Sequence, residues 1–335
     1  MAALRGDAVC ICENAENPTG LFLSAESNQP PYESMLSRIQ QIATLLILLA
    51  ASIVLLGVWR YSALLAVVLF CATLFSYSLL LAIQFSRLRW INADDPAPRA
   101  SGPQLSLAWY REVVAVARVF LCWQPFCAKL HADNVAQTSA MQGRRGLVLV
   151  HGFLCNRAVW WRWYPELECQ NIPFVAVNLE PVFGSIDAYT DTLDKAIRAL
   201  QNATGVAPLM VCHSMGGLVA RAFLRAHDKQ AGVHHVVTIG SPHHGTRLGE
   251  RLLHPQALKN AVQMRRGSAW LKALEQKEAN LSNGNFTCYY SDCDNIVTPA
   301  SAATLAGADN RLRKGVPHVA LALDDKIIRE TLAML

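Results

Sequence analysis

The chain has 335 residues, a formal net charge of +5, an apolar fraction of 52 % and only 16 % charged residues. This length allows one large domain with an accessory segment. The mild charge, which includes no run of Lys or Arg, argues against a nucleic-acid partner. The apolar fraction is high for a soluble enzyme, and the excess is concentrated between Ile39 and Phe85, where charged side chains almost vanish.

The front of the chain changes from polar to apolar. Residues 1–38 are polar and without periodicity, which predicts a flexible tail. Two uncharged runs follow, at 42–59 and 62–85, with a very short connection between them. Each run reaches the length of about 20 residues that crosses a bilayer, so we predict a two-helix transmembrane hairpin over residues 39–90. The long polar leader and the second run argue against a signal peptide.

Arginine placement predicts the orientation of this hairpin. Arginines precede the first run and follow the second, whereas Arg60 alone lies between them. The positive-inside bias then places both flanks in the cytoplasm and the short connection outside. If the C-terminal half were exported instead, Cys288 and Cys293 would be the pair to test for a disulfide.

The ten cysteines are scattered along the chain. A CxC and a CxxxxC pair occur, but no second ligand pair stands at zinc-finger spacing. We therefore expect free thiols in a reducing compartment, no structural metal and no cofactor.

The sequence of residues 91–140 predicts a linker followed by an amphipathic helix. The composition of "ADDPAPRASGP" at 93–103 is that of a linker. The stretch from Leu105 to Phe126 then repeats apolar residues at helical spacing. Two positions stay open for this helix, which packs either on the following domain or on a membrane surface. In both cases we expect residues 1 to about 140 to contribute nothing to the chemistry.

From residue 141 to residue 335 short apolar runs alternate with amphipathic helical stretches. Continuous apolar runs of this length are typical of buried strands. Such alternation predicts an α/β domain with a mostly parallel sheet and helices on both faces, whose functional residues gather at the carboxyl ends of the strands. The predicted strands are 146–150, 173–179, 207–212, 234–240 and 286–291.

Ser214 lies in the segment "VCHSMGGLVAR", between a predicted strand and a predicted helix. A sharp strand-to-helix turn lifts a serine hydroxyl clear of the backbone and needs small neighbours. Gly216 and Gly217 supply them on one side. On the other side Cys212 stands where the strict G-x-S-x-G pattern has glycine, which we interpret as a tolerated departure because a thiol is small.

A second loop follows the first predicted strand. Here Gly152 lets the backbone turn so that the N–H of Phe153 points into a site at the sheet edge. With the N–H of Met215, which follows the serine, it would form an oxyanion hole. His151 is interpreted as a brace of this loop, and His213 as a support of the turn at the serine.

An acid and a base come later in the chain. The segment "SDCDNIVTP" follows a predicted strand and contains Asp292 and Asp294, and "GVPHVAL" contains His318. The order of serine, aspartate and histidine is that of the catalytic triad on α/β-hydrolase folds.

These motifs carry a family resemblance. Residues 146 to about 330 resemble α/β-hydrolase lipases, most closely bacterial triacylglycerol lipase-like serine hydrolases, in "VHGF", "HSMGGLVAR", "TIGSPHHGT" and a D-x-x-V-x-P pattern at Asp294. The resemblance implies Ser214 as nucleophile, His318 as general base and then acid, and the N–H groups of Phe153 and Met215 as oxyanion donors. The D-x-x-V-x-P pattern fits Asp294 and not Asp292, so Asp294 is expected to orient the histidine and Asp292 to cap its own loop.

The sequence thus predicts a membrane-anchored serine hydrolase of the lipase or carboxylesterase type. Its expected partners are the bilayer and a lipid or long-chain acyl ester, and its expected place is a bacterial inner membrane, with the catalytic domain in the cytoplasm. The oligomeric state stays open. The alternatives are a thioesterase or peptidase of the same fold, or an inert membrane scaffold. The basic amphipathic insertion at 246–285 is either a lid or an ordinary pair of surface helices.

Overall fold

We describe the protein from a computed structural model, in which residues 34–135, 139–227, 232–247, 258–278 and 285–335 are described. Residues 1–33, which make up most of the predicted polar tail, lie outside these ranges. The α-helices are Met35–Trp59 (α1), Ala63–Leu74 (α2), Tyr77–Ile91 (α3), Gly102–Val116 (α4), Gln124–Phe126 (α5), Tyr164–Cys169 (α6), Thr190–Thr204 (α7), Met215–His227 (α8), Lys259–Gln263 (α9), Ala269–Glu278 (α10), His318–Leu321 (α11) and Asp325–Leu332 (α12).

A six-stranded parallel sheet forms the centre of the C-terminal half, as the alternating pattern predicts. The strand order is β2-β1-β3-β4-β5-β6, and every neighbouring pair is parallel. Because all strands run the same way, their carboxyl ends meet at one edge. The strands are Leu147–Val150 (β1), Phe174–Ala176 (β2), Leu209–His213 (β3), His235–Ile239 (β4), Phe286–Tyr290 (β5) and Asp309–Leu312 (β6).

Two apolar layers cover the sheet because side chains alternate along each strand. In β1, Val148 and Val150 face the layer that contains α7, α8 and α10, whereas Leu147 and Leu149 face the layer of α6, α11 and α12. Burial of strands on both faces explains why they read as continuous apolar runs.

The apolar front end contains one helix that is long and apolar enough to cross a membrane. This helix, α1, has 25 residues, and most of its apolar window is exposed, unlike a core helix of a soluble protein. Its length and composition suit a membrane span or a signal sequence. The second predicted span is divided into α2 and α3, with a bend of 59° at the break between them. Only the two helices taken together are long and apolar enough to cross a membrane.

The break between α2 and α3 has a local cause. The Thr73 hydroxyl donates to the Leu69 carbonyl, and the Ser76 hydroxyl donates to the Thr73 carbonyl. Hydroxyl groups that bond to carbonyls of the preceding turn bend helices. The apolar pattern of residues 62–85 does not reveal this bend, because it counts hydrophobicity and not side-chain hydrogen bonds.

Helix α4 packs on the half of the chain that contains the sheet, which decides between the two positions left open for it. Ala115 of α4 and Val119 of the π-helical segment that follows are buried among side chains of β1, α6 and α11. The helix begins at a Ser101 capping box with Gln104. A chain that starts at residue 140 would therefore expose this part of the core.

The first turns of α1 also contact this half of the chain, through polar groups. The Ser37 hydroxyl donates to the Gln124 carbonyl and accepts from the Asn156 side-chain amide. The Gln40 amide donates to the Leu154 carbonyl at 3.3 Å. The apolar helix thus starts directly beside the loop that follows β1.

The described part of the basic insertion packs inward. Leu271 and Leu274 of α10, with Met264, lie in the same core cluster as α8. The Trp270 indole N–H donates to Asp187 at 2.7 Å. These contacts are those of a surface helix pair, while residues 248–257 and 279–284 of the insertion lie outside the described ranges.

Candidate active site

Four chain segments leave the carboxyl edge of the sheet close to one another. Ser214 follows β3, and the segment from His151 follows β1. The acidic loop, which contains Asp292 and Asp294, follows β5, and His318 follows β6 after a short connection. In open parallel sheets this edge is where ligands bind. The topology therefore brings together the residues that the motifs singled out.

Ser214 occupies the sharp turn between β3 and α8. Its φ of +53° is in the left-handed region, which costs a non-glycine residue about 1–2 kcal/mol. The Ser214 N–H donates to the Ile239 carbonyl at the end of β4, at 2.9 Å, and this bond anchors the turn to the sheet. Strain at a single non-glycine residue, held by surrounding structure, is a mark of functional turns.

The two glycines after the serine are required by close packing. A Cβ at Gly216 would collide with the Val150 carbonyl oxygen, and one at Gly217 would collide with the Ser241 hydroxyl. Helix α8 can therefore approach β1 and β4 closely only because these positions lack side chains. Cys212 is fully buried in the core and leaves the turn intact.

A continuous hydrogen-bonded line joins three buried side chains. The Ser214 hydroxyl lies 3.1 Å from His318 Nε2, and His318 Nδ1 lies 2.9 Å from Asp294 Oδ2. If Nδ1 carries the proton and donates to the carboxylate, Nε2 is left free to accept from the serine. This arrangement can remove a proton from the hydroxyl as it attacks an acyl carbon.

The two aspartates of the acidic loop have different partners. Asp294 Oδ1 accepts the N–H groups of Ile296 and Val297, both at 2.8 Å, which fixes its carboxylate while Oδ2 contacts the histidine. Asp292 Oδ1 accepts the Gly315 N–H at 2.7 Å instead. The structure thus brings Asp294 and not Asp292 to His318.

The loop after β1 lies against the serine. A Cβ at Gly152 would stand 2.7 Å from Ser214 Cβ, so only glycine permits this approach. His151 braces the loop, because its Nε2 accepts the Leu179 N–H at 3.0 Å and its Nδ1–H donates to the Gly152 carbonyl at 2.9 Å. Burial lowers the pKa of His151 to about 4, so the ring stays neutral. Phe153 follows this braced turn, and Met215 begins α8.

His213 lies behind His318. Its ring centroid is 4.8 Å from that of His318, and its Nε2–H donates to the His318 carbonyl at 3.2 Å. Burial, with the neighbouring charge of His318, lowers the pKa of His213 to about 3. A neutral ring here supports the His318 backbone without adding a positive charge.

The charge state of His318 depends on opposing influences. Burial lowers its pKa, but the charge and hydrogen bond of Asp294, together with the charge of Glu112, outweigh this and hold the pKa above its ordinary value. A raised pKa makes the imidazole a stronger base and stabilises the imidazolium that forms during proton transfer.

The described residues contain no group of three or more His, Cys, Asp or Glu side chains placed to hold a metal ion. The cysteines of the C-terminal half that were considered for a disulfide, Cys288 and Cys293, are buried free thiols.

Comparisons with known proteins concern the half of the chain that contains the sheet. The sequence model of the family described as palmitoyl protein thioesterase matches residues 147–312, which include all six strands of the sheet. The matched segment is just under half of the chain, and the structural neighbours are lipases and esterases of the α/β-hydrolase superfamily. The matched family model describes a thioesterase and not the triacylglycerol lipases that the motifs resemble.

Solved structures similar to this chain include two lipases. A Bacillus licheniformis lipase in its mature form has 16 % identity and a TM-score of 0.49, with coverage of 57 % of this chain and 92 % of that chain. Aspergillus fumigatus lipase B has 15 % identity and a TM-score of 0.48, with coverage of 71 % and 72 %. A comparison with curated proteins found no significant match.

One contact near the candidate site was not predicted from the sequence. The buried Glu112 carboxylate of α4 accepts the N–H groups of Val319 and Ala320, directly after His318. The sequence signal that could have revealed this contact is the position of Glu112 on the otherwise apolar face of an amphipathic helix. The sequence alone does not place that face against the histidine loop.

Gly240 offers a test of how tightly the histidine and its aspartate are packed. A Cβ there would lie 3.1 Å from Asp294 Oδ2 and 3.3 Å from His318 Nδ1. We expect Gly240→Ala to lower kcat by about tenfold or more, because a small displacement of reacting groups is costly. Gly143→Ala is the matched control, since its φ of +77° carries similar strain but nothing lies within 4 Å of the added Cβ. Equal kcat values in the two variants would contradict this packing argument.

Proposed function

We propose that the protein is a membrane-anchored serine hydrolase that cleaves long-chain acyl esters through an acyl-enzyme. The observation that carries the proposal is the buried line from Ser214 through His318 to Asp294 at the carboxyl edge of the sheet. A hydroxyl, an imidazole and a carboxylate at these distances have the geometry of a nucleophile, its base and the group that orients the base.

In the proposed reaction His318 Nε2 takes the Ser214 proton while the serine oxygen bonds to the acyl carbon. The negative oxygen that develops is stabilised by the N–H groups of Phe153 and Met215. His318 then gives the proton to the leaving group, and the carbonyl re-forms as the bond to that group breaks. Water, deprotonated by His318, hydrolyses the acyl-enzyme in the same way. Asp294 keeps the imidazole in the required tautomer throughout.

A thioester is the second candidate substrate, and the family match favours it. The family model that covers residues 147–312 is described as palmitoyl protein thioesterase. The same nucleophile and oxyanion donors would serve an ester or a thioester, because the two differ only in the leaving group. The long acyl chain is common to both candidates.

The anchoring part of the proposal rests on how the apolar helices join the catalytic half. The first turns of α1 contact the Leu154 carbonyl beside the proposed oxyanion loop. At the other end, Gln84 of α3 accepts from the Asn295 amide, next to Asp294. Two spans that begin and end at the edges of the site would hold its entrance near the bilayer surface, with the catalytic domain, residues 141–335, in the cytoplasm.

Chain-length dependence tests this function. We expect the full-length protein in detergent to hydrolyse p-nitrophenyl esters with a kcat/KM that rises from acetate to palmitate, since each buried CH₂ adds about 0.8 kcal/mol. S-acyl thioesters of the same chain lengths, assayed in parallel, distinguish the two leaving groups. The Ser214→Ala protein is the blank. A preference for the shortest acyl chains, or cleavage of peptide bonds only, would contradict a long-chain acyl substrate.

A further inference from the structure

Glu112 is a carboxylate on an otherwise apolar helix face. The buried residues of α4 are Leu105, Ala108, Glu112 and Ala115, which recur at helical spacing and share one face. Glu112 is only 1 % exposed. A buried carboxylate destabilises a fold unless hydrogen bonds compensate for its lost hydration. The partners of Glu112 therefore indicate what it is for.

Those partners are backbone N–H groups in the first turn of α11, the helix that begins at His318. Glu112 Oε1 accepts the Val319 N–H at 3.0 Å, and Oε2 accepts the Ala320 N–H at 3.3 Å. These are among the first N–H groups of α11, which have no acceptor within a helix. The N-cap of α11 is Pro317, and it makes no side-chain cap. Glu112 supplies the missing acceptor from a distant part of the chain.

Glu112 also acts electrostatically on the site. Burial raises its pKa to about 7, while the Val319 N–H and the charge of His318 oppose this rise and Asp294 adds to it. Its negative charge in turn favours the charged form of His318. The charged or titratable groups that face His318 are thus Asp294 and Glu112, which are acidic, and the neutral ring of His213.

We propose that Glu112 is a positioning residue of the catalytic site: its carboxylate caps the short helix that begins at His318, holds the imidazole in line with Ser214 and Asp294, and stabilises the imidazolium. This inference rests on the proposed function, in which His318 is the base. It makes α4 part of the catalytic unit, although α4 precedes the sheet by some 30 residues. A second negative group near the imidazolium then adds to the effect of Asp294.

The pH dependence of kcat/KM separates this role from simple structural support. The base must be neutral, so activity is lost as the pH falls through the apparent pKa of the coupled His318 and Glu112 pair. E112Q keeps one acceptor oxygen but loses the charge that favours the imidazolium. We therefore expect its acid limb to move to lower pH by about half to one unit, and its plateau rate to fall about tenfold. E166Q, at an exposed glutamate of α6, is the matched control and should keep the wild-type profile.

A second variant separates the charge of Glu112 from its position. E112D keeps the charge but is too short to reach both N–H groups, so its rate should fall while its acid limb stays near that of the wild type. If E112Q is too unstable to purify, a wild-type rate in E112D contradicts the proposal. An E112Q profile with an unshifted acid limb also overturns it, even if the unfolding temperature falls.

Titration of His318, followed by NMR on the full-length protein with isotope-labelled histidine, distinguishes failure of this proposal from failure of the proposed function. A wild-type protein that hydrolyses no acyl ester or thioester would contradict the proposed function. The NMR titration would still decide the role of Glu112: a lower His318 pKa in E112Q supports that role, and an unchanged value contradicts it.

Discussion

Ser214→Ala and His318→Ala should each lower kcat by about 10⁵–10⁶-fold, and the double variant should lose no more than either single variant. In the proposed mechanism the serine and the histidine act as one unit, so removing either abolishes nucleophilic attack. Their 3.1 Å contact is the basis for this expectation. Steady-state kinetics on the best p-nitrophenyl ester, with the three proteins at matched purity and similar unfolding temperatures, measures the effect.

Ser241→Ala is the control for this experiment. Ser241 is also buried and packs near α8, but its hydroxyl makes no hydrogen bond within the described residues. We expect its kcat to stay within about threefold of the wild type, as a substitution outside the reacting groups should. A Ser214→Ala protein that kept more than about 1 % of the activity would contradict the role of Ser214.

Asp294→Asn should lower kcat by up to about 10⁴-fold, whereas Asp292→Asn should lower it only slightly. Asparagine preserves the shape of the side chain but can favour the wrong imidazole tautomer, and the size of the loss follows the serine-protease precedent. The structure gives Asp294 the His318 contact at 2.9 Å and gives Asp292 the Gly315 N–H. The two variants are isosteric, so each is the control for the other.

The outcomes of this pair are distinct. Similar large losses would mean that both carboxylates act on the histidine, and a larger loss at Asp292 would contradict the assignment of Asp294. Because Asp292 holds the Gly315 N–H near the histidine loop, the unfolding temperatures of both variants should be measured beside kcat.

Short sequence patterns predicted those parts of the site that are formed by residues close together in the sequence. The turn at Ser214 needs a strand, a small-residue pair and a helix in succession, and all of these are visible in about ten residues. Five strands were predicted because burial on both faces makes them apolar throughout. β6 was missed because it is an edge strand with the sequence Asp-Asn-Arg-Leu, partly exposed, and carries no apolar run.

Contacts between distant segments could not be predicted. The contact of Glu112 with α11 joins positions 207 residues apart, and the Gln84 contact with Asn295 joins positions 211 residues apart. Hydrophobic periodicity gives the buried face of a helix but not the surface that covers it. The bend between α2 and α3 depends on two hydroxyl groups whose hydrogen bonds have no hydropathy signal.

Labelling with a fluorophosphonate probe tests the central claim most directly. The probe reacts with a serine whose hydroxyl is activated by a base, and it requires no knowledge of the natural substrate. The account predicts one covalent adduct on the full-length protein, mapped by peptide mass spectrometry to Ser214, and no adduct in the Ser214→Ala or His318→Ala proteins. A folded wild-type protein that stays unlabelled, as an inert membrane scaffold would, or an adduct on another residue that persists in Ser214→Ala, would contradict it.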